Sequence, residues 1–146
     1  MHLHFLGGAA TVTGSRFHLT TERASLLIDC GMFQGTPNES IRNRVPLGFD
    51  PSKLDAILVT HAHLDHCGLL PIAVRMGFRG PIHLTAATAE LAELVLLDSG
   101  RLHEEFAKRE MRWEARHPDK ADVEDKAAVA GYVAALEQAD HEDVAS

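Results

Sequence analysis

Apolar and polar residues alternate with two different periods along this chain, and the change of period divides it. Up to about residue 85 the apolar runs are short. His2–Leu6, Arg16–Thr20 and Ala24–Asp29 have strand character, separated by Gly7-Gly8, Gly14-Ser15 and Glu22-Arg23. Ser25-Leu-Leu-Ile-Asp29 is apolar until its last residue, as is Ala56-Ile-Leu-Val-Thr60, and such runs suit strands buried on both faces. Between them, from Cys30 to about Asp55, lies a Gly-, Pro-, Asn- and Ser-rich irregular stretch, and so long a loop is usually functional or disordered. Leu69–Met76 reads as a short helix closed by Gly77, and Ile82–Leu84 as a further strand. From about Ala86 the spacing turns helical. Leu91, Val95, Leu102 and Phe106 recur among Glu, Lys and Arg until His117-Pro118-Asp119 breaks the pattern. A second helix is expected over about Ala121–Gln138, with Val129, Val133 and Leu136 on one face. The class is α/β, or α+β, with a strand-rich half at 1–85 and a mainly helical half at 86–146.

Composition narrows the possibilities. The 146 residues are 45% hydrophobic and 24% charged, ordinary for a globular chain. No apolar run approaches the roughly 20 residues that span a bilayer, so no membrane partner is expected. The first residues carry no Lys or Arg ahead of their short apolar stretch, which makes a poor secretory signal. Two cysteines, Cys30 and Cys67, make no disulfide framework, so a cytoplasmic setting is expected. The net charge of −7 is unevenly placed: residues 1–85 balance at +1 and residues 86–146 at −8. The acidic half would repel nucleic acid, so composition alone gives no support for a polyanionic partner.

Chemistry concentrates at His61-Ala-His63-Leu-Asp65-His66. Imidazole and carboxylate are the usual ligands of catalytic zinc. If the chain stays extended after Thr60, His61, His63 and Asp65 point to one side, and His66 follows at the turn into the next helix. Strand carboxyl ends are where open α/β folds place their sites. A solvated histidine cluster is the bland alternative, but Ala62, Leu64 and the apolar strand before His61 argue against it. Asp29 ends the other apolar strand and suits a supporting role, orienting a metal-bound histidine; a turn-forming Asp before Gly31 is the alternative. Cys67, near a helix start, is read as a small buried filler rather than a reactive thiolate or ligand. Trp113 and Phe106 read as packing residues, and Glu104-Glu105 and Lys108-Arg109 as a solvated helix face.

Thr60-His61-Ala-His63-Leu-Asp65-His66 resembles the signature of the metallo-β-lactamase-fold hydrolases. Gly8–Ser15, Leu27–Gly35 and Gly80–Thr88 are similar to the β-CASP branch, which contains RNA-processing nucleases. The resemblance covers about Met1 to Gly100. It implies the N-terminal half of an αββα sandwich and two zinc ions, the first held by His61 and His63 and the second by Asp65 and His66. It implies Asp29 as a supporting residue, Asp65 as a catalytic group accepting a hydrogen bond from the attacking hydroxide, and Ala9–Ser15 beside the cleft. The family's later histidine in Gly-His-x-x-Gly-Ser and its bridging aspartate have no counterpart, so both sites are expected to be incomplete. The chain is expected to be a fragment lacking the rest of the domain and the β-CASP insertion. The implied activity of the parent is RNA phosphodiester hydrolysis, with RNA as partner and room for a homodimer; the chain alone is expected to be inactive. A same-fold hydrolase of thioesters, lactones or small phosphodiesters, and a non-catalytic interaction module, are the alternatives. Substrate-binding residues stay unassigned.

Overall fold

The computed structural model describes residues 1–44, 46–117, 130, 131, 133 and 134. The helix expected over Ala121–Gln138 therefore lies almost wholly outside the described residues.

Five strands form one sheet in chain order: β1 (His2–Gly7), β2 (Arg16–Thr20), β3 (Ser25–Ile28), β4 (Ala56–Leu58) and β5 (Ile82–His83). β1, β2 and β3 pair antiparallel, while β3, β4 and β5 run parallel. The parallel pairs need crossovers. Between β3 and β4 the long loop carries α1 (Pro37–Ser40) and two 3-10 turns, Ile41–Arg44 and Pro51–Lys53; Asp50 caps the second by accepting from the Ser52 amide. Between β4 and β5 lie α2 (Leu64–Cys67) and α3 (Leu70–Arg75). α3 is the short helix expected over Leu69–Met76, whereas the single turn α2 ahead of it was not expected. Pro71 has no amide to donate and sits in the first turn of α3, where none is needed.

Leu27 and Ile57 are cross-strand partners on one face of the sheet, both fully buried. Cys67, Leu69, Leu70, Ala73 and Phe78 pack with them, from α2, α3 and the segment that follows. The opposite face is far more open: Leu3, Phe5 and Leu58 are exposed. The expectation of strands buried on both faces therefore fails, because among the described residues the packing elements cover one face.

The last element is α4 (Ala86–Arg116), 31 residues or about 46 Å long. Ala, Leu, Glu, Arg and Met dominate it, all good helix formers. Thr85 caps its start, accepting from the Thr88 amide. His117, just before Pro118, ends it in a non-helical conformation. Only Thr88 and Ala92 of α4 are buried. Leu91, Leu102, Phe106 and Trp113 are exposed, so the packing role expected of Phe106 and Trp113 is not met among the described residues.

Candidate metal centre

β3 and β4 end side by side, and the residues just beyond them form the candidate site. Asp29 is 2% exposed and has a positive φ of 59°, a left-handed conformation that Asp tolerates better than most residues. β3 ends at Ile28 for this reason: Asp29 turns out of the ladder, although its amide still donates to the Leu58 carbonyl at 2.8 Å. The turn brings the carboxylate across to the chain leaving β4. Its Oδ1 accepts from the Thr60 amide at 2.8 Å and lies 3.0 Å from Thr60 Oγ1. Its Oδ2 accepts from Ser15 Oγ at 3.2 Å and lies 2.7 Å from His66 Nδ1. A buried carboxylate without such partners would cost several kcal/mol.

The chain stays extended only as far as His63, which caps α2 with φ −70° and ψ 145°. Asp65 and His66 then lie on α2 itself, so Asp65 is placed by a helical turn, not by the extended continuation expected from the sequence. The structure nevertheless brings all four side chains into one corner. His61 Nε2 is 3.2 Å from His63 Nδ1, and His66 Nε2 is 3.6 Å from Asp65 Oδ2. The rings of His61 and His66 lie 3.9 Å apart, centre to centre.

Neighbouring backbone fixes this corner. The Ser15 amide donates to the Asp65 carbonyl and the Cys30 amide to the His66 carbonyl, each at 2.8 Å, and the Met32 amide donates to the Leu64 carbonyl at 3.0 Å. The segment after Gly31 is clamped in turn. Phe33 lies under the guanidinium groups of Arg16 and Arg42, and Asn43 exchanges two 2.7 Å hydrogen bonds with its backbone. Beneath the site, Cys30 and Cys67 are fully buried. Burial pushes the Cys30 thiol up to about 12, and burial beside the carboxylates of Asp29 and Asp65 raises Cys67 as well. Neither is a thiolate at neutral pH, in keeping with the reading of Cys67 as a filler.

Do these donors fit zinc? Two nitrogens bound at about 2.05 Å to one tetrahedral zinc stand about 3.3 Å apart. The His61–His63 separation of 3.2 Å matches that edge, and the Asp65–His66 separation of 3.6 Å is slightly long. Donor chemistry and pairwise spacing fit; number does not. Among the described residues no group of three or more His, Cys, Asp or Glu side chains could hold a metal ion.

Residues 17–75, which contain this whole corner except Ser15, match the profile of the metallo-beta-lactamase superfamily. That stretch is part of a metallo-β-lactamase superfamily domain. It is 50% identical over 99 residues to Ribonuclease TTHA0252 of Thermus thermophilus, an alignment covering 68% of this chain and 22% of that protein. It is 43% identical over 94 residues to Transcription termination factor FttA of Methanosarcina mazei, covering 64% of this chain and 15% of that protein. The chain thus spans about a fifth or less of the length of either relative. The crystal structure of human tRNase Z, short form, is 24% identical with a TM-score of 0.43, covering 68% of this chain and 41% of that one. Sequence reasoning passed over two residues of this superfamily site, Ser15 and Thr60. Their only signal was membership of the quoted motifs, since neither is a metal-ligand type.

Proposed function

We propose that this chain supplies the strand-and-helix half of a two-zinc ribonuclease site of the β-CASP type. His61 and His63 would hold one ion, through Nε2 and Nδ1, and Asp65 and His66 would hold the other, through Oδ2 and Nε2. The observation that carries the reading is the placement of these four donors, in two pairs 3.2 and 3.6 Å apart, in one corner beside Asp29. The ribonuclease relative, 50% identical over 99 residues, supports RNA as substrate over the other ester classes that this site chemistry would suit.

Bound zinc lowers the pKa of water and offsets charge growing on the phosphate. The chain's own residues do the rest. Asp65 accepts a hydrogen bond from the attacking water and so aims its lone pair at phosphorus. Asp29 holds His66 from behind, and the Ser15 amide holds the backbone of Asp65. With two protein ligands per ion among the described residues, where catalytic zinc has three, this chain by itself binds zinc weakly and turns over negligibly.

Zinc content after equilibrium dialysis, together with cleavage of a fluorogenic RNA, tests the proposal on this chain and on the longest natural product that contains it. The longer protein is expected to hold two zinc ions and to lose RNA cleavage on chelation, while the 146-residue chain holds little zinc. Two tight sites and turnover in the short chain would overturn the half-site reading. Hydrolysis of lactones or thioesters without RNA cleavage in the longer protein would move it to another substrate class, and absence of bound zinc would make it an inert module.

A further inference from the structure

Thr60 Oγ1 stands at a junction that the two-zinc reading does not require. It lies 3.0 Å from each oxygen of the Asp29 carboxylate, 3.0 Å from His61 Nδ1 and 3.3 Å from His66 Nδ1. A hydroxyl has one proton to give and two lone pairs to receive. A carboxylate can only accept, so the Thr60 proton goes to Asp29, and Oγ1 is left as an acceptor facing His61. His61 must then carry its proton on Nδ1, which leaves the Nε2 lone pair free. The same logic applies to His66, whose Nδ1 donates to Asp29 at 2.7 Å, leaving its Nε2 free. Those two free nitrogens are the ones that face His63 and Asp65.

We propose that Thr60 is a positioning residue: its hydroxyl relays the Asp29 carboxylate to His61 and fixes that ring as the Nδ1–H tautomer. One buried carboxylate thereby orients a histidine of each ligand pair, His66 directly and His61 through Thr60. The consequence for zinc rests on the proposed metal sites; the tautomer itself does not.

Long-range proton–nitrogen correlation spectra of metal-free protein, recorded near pH 8, read the tautomer of each ring directly. Wild-type His61 is expected to be protonated on Nδ1. Thr60→Val, which keeps the shape and removes the hydroxyl, is expected to leave His61 as a mixture of tautomers, and Thr60→Ser to restore the single form. In the longest natural product containing this chain, zinc affinity measured by chelator competition is expected to fall about 10–100-fold in Thr60→Val and to return in Thr60→Ser. An Nε2–H His61 in the wild type overturns the proposal even if Thr60→Val fails to fold. So does an unchanged tautomer in a folded Thr60→Val. Failure of the wild-type protein to bind zinc, with the Nδ1–H tautomer present, sinks the two-zinc reading and leaves the relay standing.

Discussion

The corner where β3 and β4 end and the long helix α4 differ in how their residues are held. In the corner, the Asp29 carboxylate alone has hydrogen-bond partners in Ser15, Thr60 and His66, and the side chains beneath it are fully buried. In α4, a 31-residue helix buries two residues and exposes Leu91, Leu94, Leu97, Leu102 and Phe106. The cross-links of the corner are long-range, whereas those of α4 are local: its own ladder, the Thr85 cap and a Lys108–Glu104 pair at 3.5 Å in the favourable i,i+4 order. An exposed pair of that kind is worth only a few tenths of a kcal/mol. A site that must present several donors at fixed separations therefore sits where distant segments brace one another, while α4, anchored to the core at Ala92 and Leu96, relies beyond them mainly on propensity along its length.

Glycine substitutions give the sharpest way to break this contrast. A Cβ at Gly31 would overlap the Asp65 carbonyl and approach the His66 nitrogen to 2.8 Å. Both obstacles are backbone, pinned by the Ser15 and Cys30 amides, so neither can step aside cheaply. Gly31→Ala is expected to cost about 3 kcal/mol or more and to disturb this corner first. Urea denaturation followed by circular dichroism measures it. A loss under about 1 kcal/mol would show the corner to be much more compliant than its hydrogen bonds imply.

Alkaline pH probes the same corner from below. Cys30 titrates at about 12 in the folded chain against 9.0 for an ordinary thiol, because burial disfavours the thiolate. The native state thus holds this proton more tightly than the unfolded one. Its contribution is intact below pH 9 and is lost as pH climbs from 9 through 12, approaching about 4 kcal/mol at about 1.36 kcal/mol per unit. Stability measured against pH should fall over that window, and Cys30→Ala should flatten the slope even though it also costs packing. An unchanged slope in the variant would mean that Cys30 reaches water in the native state.

Much of the corner was legible from one sequence because its chemistry is local. Four ligand-type residues within six positions, after an apolar strand, announce themselves, and Asp29 stood out as a carboxylate at the end of an apolar run. The five strands were found within a residue or two. Their ends were not: Asp29 leaves the ladder by a positive φ that only the finished tertiary hydrogen bonds justify. Thr60 and Ser15 were passed over because their contacts with Asp29 span 31 and 14 residues, and a hydroxyl carries no mark of which partner it will meet. Helical spacing in α4 was plain, yet periodicity reports only that residues share a face. It does not say what covers that face, and among the described residues nothing buries Phe106 or Trp113.

The smallest expected effect comes from α4 and has the opposite sign. Gly100 lies inside the helix with nothing within 4 Å of a Cβ placed there, so alanine meets no obstacle and restricts the unfolded chain. Gly100→Ala is expected to stabilise the helix by about 0.5–1 kcal/mol. Where that gain appears is informative, because Trp113 is the only tryptophan of the chain and lies near the end of α4. If α4 melts together with the sheet, Trp113 fluorescence and amide exchange at Leu27 and Ile57 should shift together, with the melting temperature rising by about 2–4 °C. If α4 is held mainly by its own ladder, as the burial of only Thr88 and Ala92 implies, Trp113 should shift alone and exchange in β3 and β4 should not change. A coupled shift of both signals would erase the distinction between braced corner and self-supporting helix.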